Sequence, residues 1–166
     1  MFRPQIQKTR VLLLLSILNV AMVYWALNSY ELLPTYGFEI KKEAVELMEK
    51  SINSLRQKFI QEGINDGEDA LFFGSFLVGP KTSSITTTAG SLVSKQSTLN
   101  PDFAALVSEM LMELEIDQSD YIAISYTGSY PGANIAVLSA LEVLNLKASI
   151  ISSCGSSEYG ATYPQM

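Results

Sequence analysis

The sequence predicts an α/β protein with an N-terminal transmembrane helix, an amphipathic helix, and a small, mostly parallel βαβαβ layer. Three observations support this prediction. A uniformly apolar run near the N-terminus is followed by an amphipathic segment. Strand-like and helix-like apolar segments then alternate, as they do in parallel α/β layers. The stretch Asp120–Ser153 has the pattern strand, polar turn, helix, strand, and its length fits one right-handed βαβ unit.

Residues 1–33 have the composition of a cytoplasmic flank and a membrane anchor. Three basic residues precede the apolar run Val11–Leu27, which as a helix would span about 26 Å of a hydrocarbon core roughly 30 Å thick. The basic flank predicts a single-pass protein of the cell membrane, with the lipid bilayer as a partner, a cytoplasmic N-terminus and an extracytoplasmic domain. A cleaved signal peptide is the alternative, although Tyr24 and Trp25 occupy the place of a small-residue cleavage site.

Residues 34–67 are expected to form an amphipathic helical stalk. Pro34 and Gly37 interrupt the chain after the apolar run, and Phe38–Gly63 then places apolar residues on one helical stripe. The pattern predicts a helix that packs on the domain or spaces it from the membrane. Its polar face carries charges of both signs, which disfavours a helix lying flat on the bilayer.

Residues 68–166 are the expected extracytoplasmic α/β domain. Leu71–Val78 has the composition of its first strand. The hydroxyl-rich run Thr82–Ser91 fits either a flexible linker or an ordered loop that meets an anion. Asn100-Pro101-Asp102 is a helix-start sequence, and Phe103–Leu114 carries the apolar face of that helix.

The last predicted elements are the βαβ unit itself, with strands at Tyr121–Tyr126 and Ala148–Ile151 around a helix at Asn134–Leu144. Three strands make a small layer with an open edge, and open edges tend to pair with other chains. We therefore expect either a truncated chain or a domain that a partner completes.

Composition argues against several function classes. A formal net charge of −6 does not suit the basic surface that nucleic-acid binding requires, so no nucleic-acid partner is expected. The chain has no His, which is the commonest general base and metal ligand. Cys154 is the single cysteine, and its expected role is that of a small buried hydrophobic residue. Neither a metal nor a cofactor is expected.

The candidate ligand-binding residues lie where parallel strands end and a helix begins, because ligands of α/β sheets sit at that edge. Free backbone N–H groups of a helix start, hydroxyls and one ammonium suit a carboxylate or a phosphate. These candidate residues are Thr86, Thr87, Thr88, Ser91, Lys95, Gly128, Ser129 and Asn134. The alternative is an ordinary strand-to-helix turn beside an exposed lysine.

Several separated blocks, in order, carry a family resemblance: Ile85–Leu92, Asn100–Leu106, Thr127–Pro131 with Asn134–Leu138, and Ile150–Ser153. Together they resemble the poly-γ-glutamate system protein family. These bacterial membrane-anchored proteins are associated with the machinery that makes and exports poly-γ-glutamate. The resemblance covers residues 79–164 and, in kind, the N-terminal anchor. Family members are longer and continue past the end of this chain.

The resemblance implies a membrane-anchored accessory protein of poly-γ-glutamate synthesis or export, with the synthase subunits or the polymer as partners. It supplies no catalytic mechanism, and two alternatives stay open. An extracytoplasmic hydrolase or transferase would use Ser129 or a Thr as nucleophile, with Lys95 or a carboxylate as its base. A purely structural membrane subunit would use the same loops only for packing.

Overall fold

The computed structural model describes residues 9–29, 34–62, 74–116 and 118–162. The chain divides into two compact units, residues 1–35 and residues 36–166. In its described residues the first unit has one helix, α1 (Thr9–Asn28), which by length and composition could cross a membrane. Two polar side chains in its middle bond within the helix: Ser16 Oγ donates to the Leu12 carbonyl at 2.9 Å, and Asn19 Nδ2 donates to the Leu15 carbonyl at 3.0 Å.

The second unit alternates helices with short strands. Its elements in chain order are α2 (Phe38–Gln61), a 3₁₀ turn (Ser75–Leu77), β1 (Thr86–Thr88), α3 (Leu92–Ser97), α4 (Asp102–Glu113), β2 (Tyr121–Tyr126), α5 (Pro131–Val143), β3 (Lys147–Ser152) and β4 (Ser156–Ser157). The unit is therefore a mixed α/β fold with small parallel sheets.

Helix α2, which the sequence suggested as a stalk, packs against α4 and α5. Its apolar stripe enters the core through Ala44, Met48 and Ile52, each at most 1% exposed. The Phe59 ring near its C-terminal end meets the Phe76 ring edge-on, with centroids 5.2 Å apart. The stripe that made the helix amphipathic in sequence is thus the surface by which it joins the domain.

The predicted βαβ unit is present. Strands β2 and β3 pair in parallel from Tyr121 opposite Lys147 to Tyr126 opposite Ser152, with α5 between them in the chain. The side chains of β2 alternate between exposed and half-buried, as expected for a strand with one covered face.

The sheet arrangement differs from the single three-stranded layer that was predicted. Two separate pairs occur in the described residues, β2 with β3 and β1 with β4. The prediction of a strand over Leu71–Val78 was wrong for its described part, residues 74–78. Gly74 has a φ of +74° and opens the 3₁₀ turn, after which Phe76, Leu77 and Val78 are buried. A short apolar run can form either a buried strand or a buried turn, and its sequence does not distinguish the two. The packing of these residues in the core favours the turn.

Candidate functional site

The site is built where the β2–α5 turn meets the segment that contains β4. The Gly128 N–H donates to the Gly155 carbonyl at 2.9 Å, and the Ala161 N–H donates to the Gly128 carbonyl at 2.7 Å. Ser156 Oγ donates to that same carbonyl at 3.0 Å. These bonds fix the turn that carries Ser129 against the end of the described chain.

Lys95 is the central residue of the site and is fully buried. It lies on the short helix α3, whose N-cap Ser91 accepts a bond from the Ser94 N–H at 3.5 Å. Lys95 Nζ donates to the Ser129 carbonyl at 2.5 Å and to Ser157 Oγ at 2.7 Å. It also lies 4.1 Å from the centroid of the Tyr130 ring, a cation–π distance.

Every contact partner of the Lys95 ammonium is neutral. Within the described residues, no carboxylate lies at ion-pair distance from Nζ. Burial without a counter-charge disfavours the charged form, so burial lowers the pKa of Lys95 from the ordinary lysine value. A long cationic side chain is rarely buried in this way, which marks the position as unusual.

Ser129 and Ser157 complete the group, which we call the Lys95–Ser129–Ser157 cluster. The Ser157 N–H donates to Ser129 Oγ at 3.0 Å, while Ser157 Oγ faces Lys95 Nζ. Ser129 thus supports the cluster twice, with its carbonyl on the lysine and its hydroxyl on the Ser157 backbone. Residues from three separate parts of the sequence meet at one point.

The hydroxyl-rich run reaches the same region through β1. Thr86 pairs with Ser156 in parallel register, and Thr87 Oγ1 donates to the Ser156 carbonyl at 3.2 Å. The Glu158 N–H donates to the Thr88 carbonyl at 2.9 Å. The sequence allowed either a flexible linker or an ordered loop for this run. The linker prediction was wrong, because the run contains β1, which pairs with β4 next to the cluster.

Asn134 and Ser91 have hydrogen bonds that hold the scaffold. Asn134 Nδ2 donates to the Thr127 carbonyl at 2.9 Å and so ties the first turn of α5 to the end of β2. Ser91 caps α3, as described above. The structure therefore brings Lys95, Gly128, Ser129 and the threonines into one region and gives Asn134 and Ser91 supporting contacts there.

Sequence reasoning missed Ser156, Ser157 and Glu158. They follow the last predicted strand, and their importance depends on a pairing with β1 that no local pattern reveals. Glu158 accepts from the Gly90 N–H at 3.3 Å and lies 3.9 Å from Lys81 Nζ, so it is a negative charge beside the site. The one available signal was a pair of serines just beyond a strand end, at the edge where ligands bind.

The prediction that Cys154 is a buried hydrophobic residue was wrong, because its side chain is exposed in the loop between β3 and β4. The apolar strand before it suggested burial. That strand, however, has an exposed C-terminal half that includes Ile151, which is 76% exposed.

The lowered pKa of Lys95 predicts a pH dependence of stability. Below 10.5 the unfolded lysine is protonated, whereas the folded lysine releases its proton at a lower pH. The unfolded state then binds more protons, so the free energy of unfolding rises as pH increases from the folded pKa toward 10.5. Urea unfolding across this range should show wild type gaining stability relative to Lys95→Met. Parallel profiles for the two proteins would contradict this.

Comparison with known proteins gives no relatives for this chain: no family model, curated protein or solved structure matches it. The protein can therefore be described in structural terms only. Its chain has an apolar N-terminal helix and an α/β domain, and in that domain a buried lysine lies between two serines.

Proposed function

We propose that this protein is a single-pass, membrane-anchored accessory protein of poly-γ-glutamate synthesis or export. Its extracytoplasmic domain contacts the polymer or the synthase complex, and its N-terminus is cytoplasmic. The length and apolarity of α1 support an anchor, and the basic residues before it support the orientation. The sequence blocks that resemble the poly-γ-glutamate system proteins include β1, the Ser129 turn and the start of α5.

The observation that carries the proposal is the uncompensated ammonium of Lys95. Its neutral partners leave a positive charge unpaired within the described residues. Poly-γ-glutamate presents one carboxylate per repeat. A carboxylate that docks above the cluster would be attracted by this charge across a low-dielectric interior, where screening is weak. The hydroxyl of the exposed residue Thr88 can donate a hydrogen bond to the same anion, whereas the Thr87 hydroxyl already donates to the Ser156 carbonyl.

Recognition by this site has to be local. The net charge of −6 repels a polyanion at long range, and Glu158 stands at the rim. Binding of a carboxylate is favourable only when it lies close enough to Lys95 and Thr88 for their attraction to outweigh that repulsion. This favours contact with single repeats of the polymer over binding by a broad basic surface.

The test is the affinity of the full chain, in detergent micelles, for poly-γ-glutamate of defined length. Lys95→Met keeps the unbranched apolar part of the side chain and removes the ammonium. The dissociation constant should rise about tenfold or more, because bonds involving charged groups contribute about 1.5–3 kcal/mol. Lys42→Met is the matched control, since it makes the same charge change at an exposed lysine paired with Glu46. Equal affinities for the two variants would contradict a specific role for Lys95.

The proposed orientation can be tested with the protein's own thiol. Cys154 is the single cysteine and is exposed, so a membrane-impermeant maleimide should label it in intact cells. A Cys154→Ser variant that carries Gln5→Cys should be labelled only after the membrane is permeabilised. Labelling of the second protein and not of the first in intact cells would reverse the proposed topology.

A further inference from the structure

We propose that Ser157 Oγ is an acyl-transfer nucleophile and that Lys95 Nζ is the base that takes its proton, acting on ester or amide substrates. This is an activity beyond the binding proposed above, and it does not depend on the identity of the polymer. The first support is distance: the two atoms are 2.7 Å apart, within the range expected of a nucleophile and its base. In a chain without His, lysine is a remaining side chain suited to this role.

The pair is held from both sides. Lys95 Nζ is fixed by the Ser129 carbonyl at 2.5 Å and by the Tyr130 ring. Ser157 is fixed by its backbone bond to Ser129 Oγ and by the pairing of β4 with β1. Catalytic groups need such support, because misplacement by about 1 Å costs much of their effect.

The chemistry of Lys95 suits a base. With no carboxylate to stabilise the ammonium, burial lowers the pKa of the lysine and raises the fraction of neutral amine at a given pH. The neutral amine has a lone pair that can accept the hydroxyl proton across the existing hydrogen bond. Buried lysines act as general bases for this reason.

The pair lies beneath the surface of the domain. Ser157 is 8% exposed as a whole residue, Lys95 has no exposed surface, and the hydrogen bond between them is buried. Gly90 borders the pair. A Cβ at that position would lie 2.6 Å from the Glu158 carbonyl oxygen and 3.2 Å from both Lys95 Cε and Ser157 Oγ. The backbone at Gly90 therefore packs closely against the pair, and only a residue without a side chain fits there.

The reaction balances without an additional cofactor. Ser157 Oγ forms a bond to the acyl carbon as its proton passes to Lys95 Nζ. The bond from the acyl carbon to the leaving nitrogen or oxygen then breaks, and the Lys95 ammonium gives that proton to the leaving group. Water adds to the acyl-serine with Lys95 again taking the proton. Release of the carboxylic acid returns the proton to Ser157.

A fluorophosphonate probe tests this directly on the full chain in detergent, because it leaves a phosphonyl group on a nucleophilic serine. Peptide mass mapping should place the adduct on Ser157, and its rate of formation should rise with pH as Lys95 loses its proton. Lys95→Met should slow labelling about 100-fold. Ser157→Ala should abolish it. Ser153→Ala, at an exposed serine near β4, should leave the rate unchanged.

Circular dichroism and the thermal midpoint of each variant show whether it is folded. A folded wild-type chain that forms no Ser157 adduct at any pH between 6 and 10 would overturn the proposal, as would equal labelling rates in wild type and Lys95→Met. The binding proposal fails separately. An adduct on Ser157 without affinity for poly-γ-glutamate supports only the nucleophile, and affinity without an adduct supports only the binding role.

Discussion

Replacing Gly132 with Ala is expected to lower the free energy of unfolding by about 3 kcal/mol. Gly132 is buried at the first turn of α5, where this helix crosses the end of α3. A Cβ there would lie 2.7 Å from the Thr98 carbonyl carbon and 2.9 Å from the Leu99 nitrogen, and it would overlap the Thr98 carbonyl oxygen. These are backbone atoms, so no side-chain rotation can relieve the overlap.

The measurement is urea unfolding followed by circular dichroism, with Gly155→Ala as the matched control. A Cβ at Gly155 would first meet Thr87 Cγ2, a side-chain methyl, at 3.3 Å. That contact can adjust, and the loss of unfolded-state freedom offsets part of its cost, so we expect a change below about 1 kcal/mol. If the two variants were equally stable, α5 and α3 would not approach as closely as described.

Ile52→Ala is expected to cost about 3 kcal/mol, the typical loss when a buried aliphatic side chain is removed from a core. Ile52 is 1% exposed on α2 and belongs to the core cluster that also contains Phe76 and Leu99. Because α2 supplies this side chain, its removal leaves a cavity in the centre of the domain. The predicted effect therefore tests whether α2 is part of the domain core.

Asn53→Ala is the control for this experiment, since Asn53 is the next residue of the same helix and is exposed. It should change the free energy of unfolding by less than about 0.5 kcal/mol. A helix that only spaced the domain from the membrane would show similarly small effects for both variants. That outcome would remove α2 from the core and contradict the packing described here.

The sequence predicted those parts of the fold that depend on neighbouring residues. The βαβ unit was recognisable because two β-branched apolar runs flank a helical pattern of suitable length, and this local pattern requires a parallel pair. The helix at Asp102–Glu113 followed from its start sequence and its apolar spacing. In both cases the apolar pattern and the local conformational preferences of the residues favour the same secondary structure. The sequence could therefore predict it without knowledge of distant contacts.

The remaining features depend on distant contacts. Strand β1 has three threonines and no apolar alternation, and it exists because β4 lies beside it, with Thr87 and Ser156 separated by 69 positions. The burial of Lys95 was equally hidden, since α3 has six residues and is too short to show a periodic apolar face. The sequence indicated two of the three cluster residues, Lys95 and Ser129, and missed Ser157.

The pairing of β1 with β4 also determines when the Lys95 site can form during synthesis of the chain. Closing a loop of this length is slow relative to forming a local helix or turn, because its ends must first meet by diffusion. Lys95, near the middle of the chain, acquires its serine neighbour only after residues near 160 have left the ribosome. A nascent chain would therefore carry an ordinary hydrated lysine, and its unusual chemistry would arise only once synthesis had passed that point.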